Sequence, residues 1–81
     1  MNHRLRFYYR AACSLCEEMH RELVAAQSDY PFELEALDID SSEELVNRYD
    51  HKVPVLTDQQ DEEICHYFLD HQALQGYFAT H

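Results

Sequence analysis

The first half of the chain shows two kinds of hydrophobic pattern. Arg4–Tyr9 alternates polar and apolar side chains, which predicts a strand. Cys13–Ser28 then carries apolar residues three or four positions apart, which predicts a helix beginning at the cysteines. Tyr30-Pro31 ends this pattern, because the residue before proline disfavours helical geometry. Phe32–Ile39 alternates again and predicts a second strand.

A second helix is predicted after this strand. Ser41 and Glu44 have the spacing of a capping box, and Asp40 with Glu43 offers the alternative register. We expect the helix to be short and to end near residue 49 or 50.

The remainder predicts a hairpin and a final helix. Val53–Thr57 is a short apolar run that predicts a third strand. Asp58–Asp61 predicts a polar turn, and Glu62–Phe68 predicts a fourth strand. Tyr67 and Phe68 are predicted to be aromatic side chains of the sheet and core. Asp70 can cap the last helix, whose apolar face would comprise Leu74, Tyr77 and Phe78.

The element order is therefore β-α-β-α-β-β-α, within one domain spanning 1–81. A strand–helix–strand unit implies a parallel pair, and a hairpin adds antiparallel strands. This order predicts an α/β fold with a four-stranded mixed sheet and helices on both faces. On neighbouring strands, Arg4 and Arg6 are expected beside Glu33 and Glu35 as weak surface pairs.

Composition narrows the class of partner. The 81 residues contain 6 Lys+Arg against 16 Asp+Glu, for a formal net charge of -10. Such acidity argues against nucleic acid and anionic membranes as partners, since both require clustered cations. No apolar run is long enough to span a bilayer, and no targeting segment is recognised. Three cysteines do not suit a disulfide-stapled secreted framework, so we expect a cytoplasmic protein. We also expect the protein to be a monomer.

The candidate chemistry lies in Cys13-Ser14-Leu15-Cys16. At a helix start, outward backbone N–H groups and the helix dipole stabilise an anion, so Cys13 is the expected attacking thiolate. Arg10 can add positive charge there, while Glu17 and Glu18 oppose it. Cys16 continues into the apolar stripe and should be buried, which suits it to resolve a mixed disulfide.

Other interpretations of these cysteines remain open at this point. The pair could be two small apolar residues, or half of a zinc site completed by Cys65-His66. A structural zinc site needs a second close ligand pair, which the sequence lacks, so we expect no metal ligands. Cys65 lies within a predicted strand and is expected to be a buried small hydrophobe.

These residues and their order resemble glutaredoxin and its thioredoxin-like relatives. The similarity rests on a strand leading into Cys13-Ser14-Leu15-Cys16 and on Val53-Pro54 opening the third strand, and it covers essentially the whole chain. It implies a thioredoxin-like fold and thiol–disulfide oxidoreductase activity in cell redox homeostasis. In the family the first cysteine attacks and the second resolves, which falls here on Cys13 and Cys16.

The resemblance also implies a substrate site. The family's Val-Pro proline has a cis bond facing the cysteines, which falls on Pro54. The backbone N–H and C=O of Val53 would then both face outward beside Cys13 and pair with an extended substrate. Arg10 stands where glutaredoxins place a basic residue for a glutathione carboxylate, and the backbone at Asp70 could receive another carboxylate. The implied substrates are disulfide-containing proteins or glutathione mixed disulfides. No tightly bound cofactor is implied, and glutathione is a candidate reductant.

The sequence departs from the family at two places. Ser14-Leu15 is neither the Pro-Tyr pair common in glutaredoxins nor the Gly-Pro pair of thioredoxins. Phe68-Leu69-Asp70 stands where glutaredoxins have a Gly-Gly segment that helps to hold glutathione, and its larger side chains argue against that ligand. Two other functions stay open: a metal or iron–sulfur carrier using Cys13, and a non-catalytic interaction module.

Overall fold

The structure is a computed structural model that describes residues 3–80. Its element order is the predicted one. The elements are β1 (His3–Tyr9), α1 (Ser14–Ala26), β2 (Phe32–Asp38), a 3-10 turn (Ile39–Ser41), α2 (Glu43–Tyr49), β3 (Val55–Thr57), β4 (Glu63–His66) and α3 (His71–Thr80).

The four strands form one mixed sheet in the order β2-β1-β3-β4. β1 is parallel to β2 and antiparallel to β3, and β3 is antiparallel to β4. The C-terminal end of β1, which leads to the cysteines, therefore lies at the same end of the sheet as the start of β3. This topology confirms the predicted mixed α/β sheet.

Helices cover both faces of the sheet, as predicted. On one face Phe7 packs with buried residues of α1 and α3, including Leu23 and Leu74. On the other face Tyr8 packs with Ile39, Tyr49 and Val55, so α2 covers that side. Adjacent residues of a strand point to opposite faces, which is why Phe7 and Tyr8 belong to different clusters. None of the helices within residues 3–80 is long and apolar enough to cross a membrane.

The predicted start of α2 was wrong by one residue. Neither Ser41 nor Asp40 caps the helix: the hydroxyl of Ser42 accepts the hydrogen bond from the Leu45 N–H. The preceding residues form a 3-10 turn instead, which places Ile39 in the core with no exposed surface. Burial of Ile39 therefore decides where the helix begins.

The predicted hairpin strands were also too long. Val53 donates its N–H to the Tyr49 carbonyl and Pro54 has no N–H, so the β3 ladder begins at Val55. β4 ends at His66 because Tyr67 adopts a positive φ of 66°, which leaves the strand conformation.

Side-chain pairs tie β1 to its neighbours. Arg4 and Arg6 lie directly opposite Glu33 and Glu35 and form ion pairs with them, as predicted. In the turn between β3 and β4, the Asp61 carboxylate also accepts hydrogen bonds from Arg6 and from the hydroxyl of Tyr8. These bonds hold the turn against the centre of the sheet.

Candidate active site

Cys13 and Cys16 are joined by a disulfide at the N-terminus of α1, with their Cα atoms 5.2 Å apart. Cys13 is the N-cap residue, and its Sγ accepts a hydrogen bond of 3.2 Å from the Cys16 N–H. A sulfur at this place faces the positive end of the helix dipole. The reduced Cys13 would therefore be stabilised as a thiolate by the backbone alone.

The two sulfurs have unequal surroundings. Cys16 is only 3% exposed and lies on the buried stripe of α1 with Met19 and Leu23. Cys13 is half-buried at the edge of the same core. Cys13 is therefore more accessible to a substrate than Cys16.

A residue in the left-handed conformation precedes Cys13, the N-cap of α1. Ala12 has a φ of 55° between the end of β1 and the cap residue, whereas its exposed neighbour Ala11 does not have a positive φ. This single reversal lets the chain leave the sheet and start α1 within a few residues. The sequence gives no signal for it, because glycine is the residue usually found in this conformation.

The structure places Arg10 between two carboxylates of the protein itself. Its guanidinium donates two hydrogen bonds to Asp40, of 3.0 and 2.9 Å, and one of 2.6 Å to Asp50. Asp40 and then Asp50 raise the pKa of Arg10 above its usual value, so the cation persists. Since Asp50 precedes Val53 by three residues, Arg10 joins the loop before Cys13 to the loop before Pro54.

The Val53–Pro54 peptide bond is cis, and Pro54 is buried. The expectation that both backbone groups of Val53 face outward was wrong for the N–H, which donates to the Tyr49 carbonyl at 3.2 Å. Among residues 3–80 no hydrogen bond reaches the Val53 carbonyl, so this acceptor stays available. The Pro54 carbonyl accepts from the N–H of Tyr67 at 2.8 Å, which ties the β4–α3 loop to this proline.

Asp70 caps α3, as predicted. Its carboxylate accepts hydrogen bonds from the N–H groups of Gln72 and Ala73, at 3.0 and 3.1 Å. The first turn of α3 thus already holds a carboxylate, that of Asp70 itself.

Tyr67 and Phe68 correct the sequence interpretation, which assigned both to the sheet and core. Their side chains are 40% and 65% exposed. The Tyr67 hydroxyl donates to the His51 carbonyl, so the ring lies across the segment that precedes Pro54. The exposure could not be predicted from the alternation of residues 62–68, because it follows from the positive φ that ends β4.

Cys65 lies apart from the redox pair. It is buried and unpaired, and burial raises the pKa of its thiol. Within the described part of the chain, no three His, Cys, Asp or Glu side chains are grouped so as to hold a metal ion. A cavity of about 480 Å³ lies beside Cys16, and Arg10, Ala12 and Arg21 are among its other lining residues.

Comparisons with known proteins agree with this geometry. The family model described as Glutaredoxin-like domain (DUF836) matches residues 4–79. The solution NMR structure of protein Ne2328 from Nitrosomonas europaea is similar at 42% identity and a TM-score of 0.85, over 95% of this chain and 92% of that one. The X-ray structure of protein XcR50 from X. campestris is similar at 27% identity and a TM-score of 0.70, over 95% and 97%.

A more distant likeness concerns the fold alone. Thioredoxin 1 from Thermosipho africanus TCF52B is 13% identical, with a TM-score of 0.65 over 95% of this chain and 96% of that one. No curated protein matches the sequence. The match over residues 4–79, with the Cys13–Cys16 pair at the start of α1, shows that the chain belongs to the glutaredoxin-like domain family and has a thioredoxin-like fold.

Proposed function

We propose that the protein is a thiol–disulfide oxidoreductase that uses Cys13 and Cys16 as its dithiol. One observation carries the proposal: a disulfide at the start of α1 joins the half-buried N-cap residue Cys13 to the buried Cys16. This arrangement separates an attacking thiol from a resolving thiol.

The reaction has two exchange steps. The Cys13 thiolate attacks one sulfur of a substrate disulfide, and the other substrate sulfur leaves as a thiolate. Cys16, once deprotonated, then attacks the Cys13 sulfur of the mixed disulfide. The second substrate thiolate leaves, and the Cys13–Cys16 disulfide forms. Two electrons pass from the protein dithiol to the substrate, and the reverse sequence oxidises a dithiol.

A trapping experiment tests the proposal. Reduced Cys16→Ser protein, mixed with 2-hydroxyethyl disulfide, should accumulate a mixed disulfide at Cys13 that intact-mass spectrometry detects. The Cys13→Ser variant should form no such adduct at Cys16, because Cys16 is buried. The control is Cys65→Ser, which should reduce 2-hydroxyethyl disulfide as the wild type does, since Cys65 is not part of the Cys13–Cys16 pair.

A titration of the wild-type protein with oxidised and reduced dithiothreitol completes the test. We expect the Cys13–Cys16 disulfide to form and open reversibly. The proposal is wrong if this disulfide never forms, or if Cys13→Ser reduces disulfides as well as the wild type.

A further inference from the structure

The second exchange step requires a group that takes the proton of the Cys16 thiol. Cys16 is only 3% exposed and lies on the buried stripe of α1 with Met19 and Leu23, whose side chains cannot accept a proton. Burial also disfavours the thiolate, because the charged form of a thiol loses solvation in apolar surroundings. The proton must therefore leave toward a polar group near Cys16.

Cys16 meets polar groups at the cavity of about 480 Å³ that it lines. The ionisable side chains on the other walls, which come from β1, the loop before Cys13 and α1, are Tyr9, Arg10, Glu17, His20 and Arg21. β2 contributes Ala36, and the carboxylate of Asp38 on that strand accepts a hydrogen bond from the Asp40 N–H. A guanidinium and a phenol already hold their protons at neutral pH, so the carboxylate and the imidazole are the candidate acceptors.

Helix geometry distinguishes His20 from Glu17. His20 follows Cys16 by four positions, so the two side chains lie on one face of α1 with their β-carbons about 5–6 Å apart. Glu17 is the next residue after Cys16, and neighbouring side chains of a helix do not face each other. The imidazole ring also packs on Phe7 of β1, with 5.6 Å between the ring centroids, which holds His20 against the sheet at the cavity wall.

From this arrangement we propose that His20 accepts the proton of Cys16 across the cavity and so enables the resolving step. The imidazole takes the proton from the Cys16 thiol, directly or through water in the cavity. The Cys16 sulfur then bonds to the Cys13 sulfur while the bond between Cys13 and the substrate sulfur breaks, and the substrate leaves as a thiolate. His20 is exposed, so the imidazolium returns its proton to solvent. The inference rests on the proposed function, because it assigns a residue to its second step.

A two-phase assay separates resolution from attack. Reduced protein with Cys65→Ser is mixed in a stopped-flow instrument with 5,5′-dithiobis(2-nitrobenzoate). Attack by Cys13 releases one coloured thionitrobenzoate and leaves the other bound to Cys13, and resolution by Cys16 releases the second. The rate of the first phase rises with the concentration of the probe, whereas the rate of the second phase does not.

His20→Ala should slow the second phase about 100-fold, which is the lower end of the range for a positioned base, and should leave the first phase unchanged. The rate of the second phase should rise with pH in the variant over a higher range than in the wild type, because solvent then removes the proton. Added imidazole should restore part of the rate.

Matched variants separate proton transfer from packing and from charge. His20→Phe keeps an aromatic ring beside Phe7 without a proton acceptor, so its second phase should be as slow as that of His20→Ala. His71→Ala removes an exposed histidine on α3, and Arg21→Gln removes a cation of the cavity; both should keep the second phase near the wild-type rate. Circular dichroism and urea unfolding check that the variants fold.

The outcomes distinguish this inference from the proposed function. If the wild type releases no second thionitrobenzoate, Cys16 does not resolve, and the oxidoreductase proposal and this inference fail together. If the second phase is present and His20→Phe keeps the wild-type rate, only the role of His20 is wrong. It is also wrong if Arg21→Gln slows the second phase as much as His20→Ala, since the charge of the cavity would then govern the step.

Discussion

Ala12 provides the sharpest test of how the site is built. Its φ of 55° lies in the left-handed region, where a β-carbon costs about 1–2 kcal/mol relative to glycine. Ala12→Gly removes that cost, but glycine makes the unfolded chain more flexible, which lowers the stability of the fold by about 0.4–1 kcal/mol. The net expectation is a stabilisation of about 0.5–1 kcal/mol, which corresponds to a rise of about 2–8 °C in Tm for a domain of this size.

The matched control is the preceding residue. Ala11 is exposed like Ala12, but its φ is not positive, so Ala11→Gly should cost about 0.4–1 kcal/mol through the unfolded chain. Neighbouring substitutions of the same kind should thus change stability in opposite directions.

Urea unfolding of the oxidised proteins at neutral pH measures both changes. The two variants should share the m-value of the wild type, so that the midpoints report stability directly. If both substitutions destabilise the protein by similar amounts, the left-handed turn before Cys13 is not present in solution, and the placement of Cys13 as the N-cap loses its support.

Three further predictions concern the polar contacts around the sheet and site. Asp61→Asn should lower stability by about 1.5–3 kcal/mol near neutral pH, because it removes charge-assisted hydrogen bonds. The hydrogen bond from Tyr8 lowers the pKa of Asp61 in the folded protein. The stabilisation is therefore present above the pKa of the unfolded chain and is lost as pH falls through the lower folded pKa. In urea unfolding, the stability of the variant should therefore fall less steeply with decreasing pH than that of the wild type. Burial, together with the hydrogen bond to Asp61, raises the pKa of Tyr8 to about 12 in the folded protein. Because the unfolded chain loses this proton near pH 10, wild-type stability should decline between about pH 10 and 12, and Tyr8→Phe should remove that decline. Asp40→Asn combined with Asp50→Asn frees Arg10 and should lower the KM for oxidised glutathione in steady-state assays; an unchanged KM would mean that these carboxylates do not block the cation.

Local features of the chain were predicted well because they depend on near neighbours. The alternation of β1, the buried stripe of α1 and the cap at Asp70 each involve residues within a few positions of one another. Such patterns follow from the periods of strand and helix and from unsatisfied N–H groups at helix ends. The placement of Cys13 at the start of α1 belongs to this class.

Features that depend on distant contacts were predicted less well. The start of α2 shifted to Ser42 because Ile39 is buried against the far face of the sheet. The exposure of Phe68 depends on where β4 ends, which in turn depends on the bond between Tyr67 and Pro54. A capping rule or an alternating pattern contains no information about such packing.

The sequence by itself determined the order of the elements, the mixed sheet and a dithiol at a helix start, because periodicity and capping act over a few residues. Tertiary structure alone decided what surrounds that dithiol. The partners of Arg10 are 30 and 40 residues away in the chain, and they meet it only because β1, the 3-10 turn and the loop before β3 converge at one end of the sheet. That convergence gives Arg10 its carboxylates. In the same way, the hydrogen bond from the Tyr67 N–H to the Pro54 carbonyl places the partly exposed Tyr67 beside the cis proline.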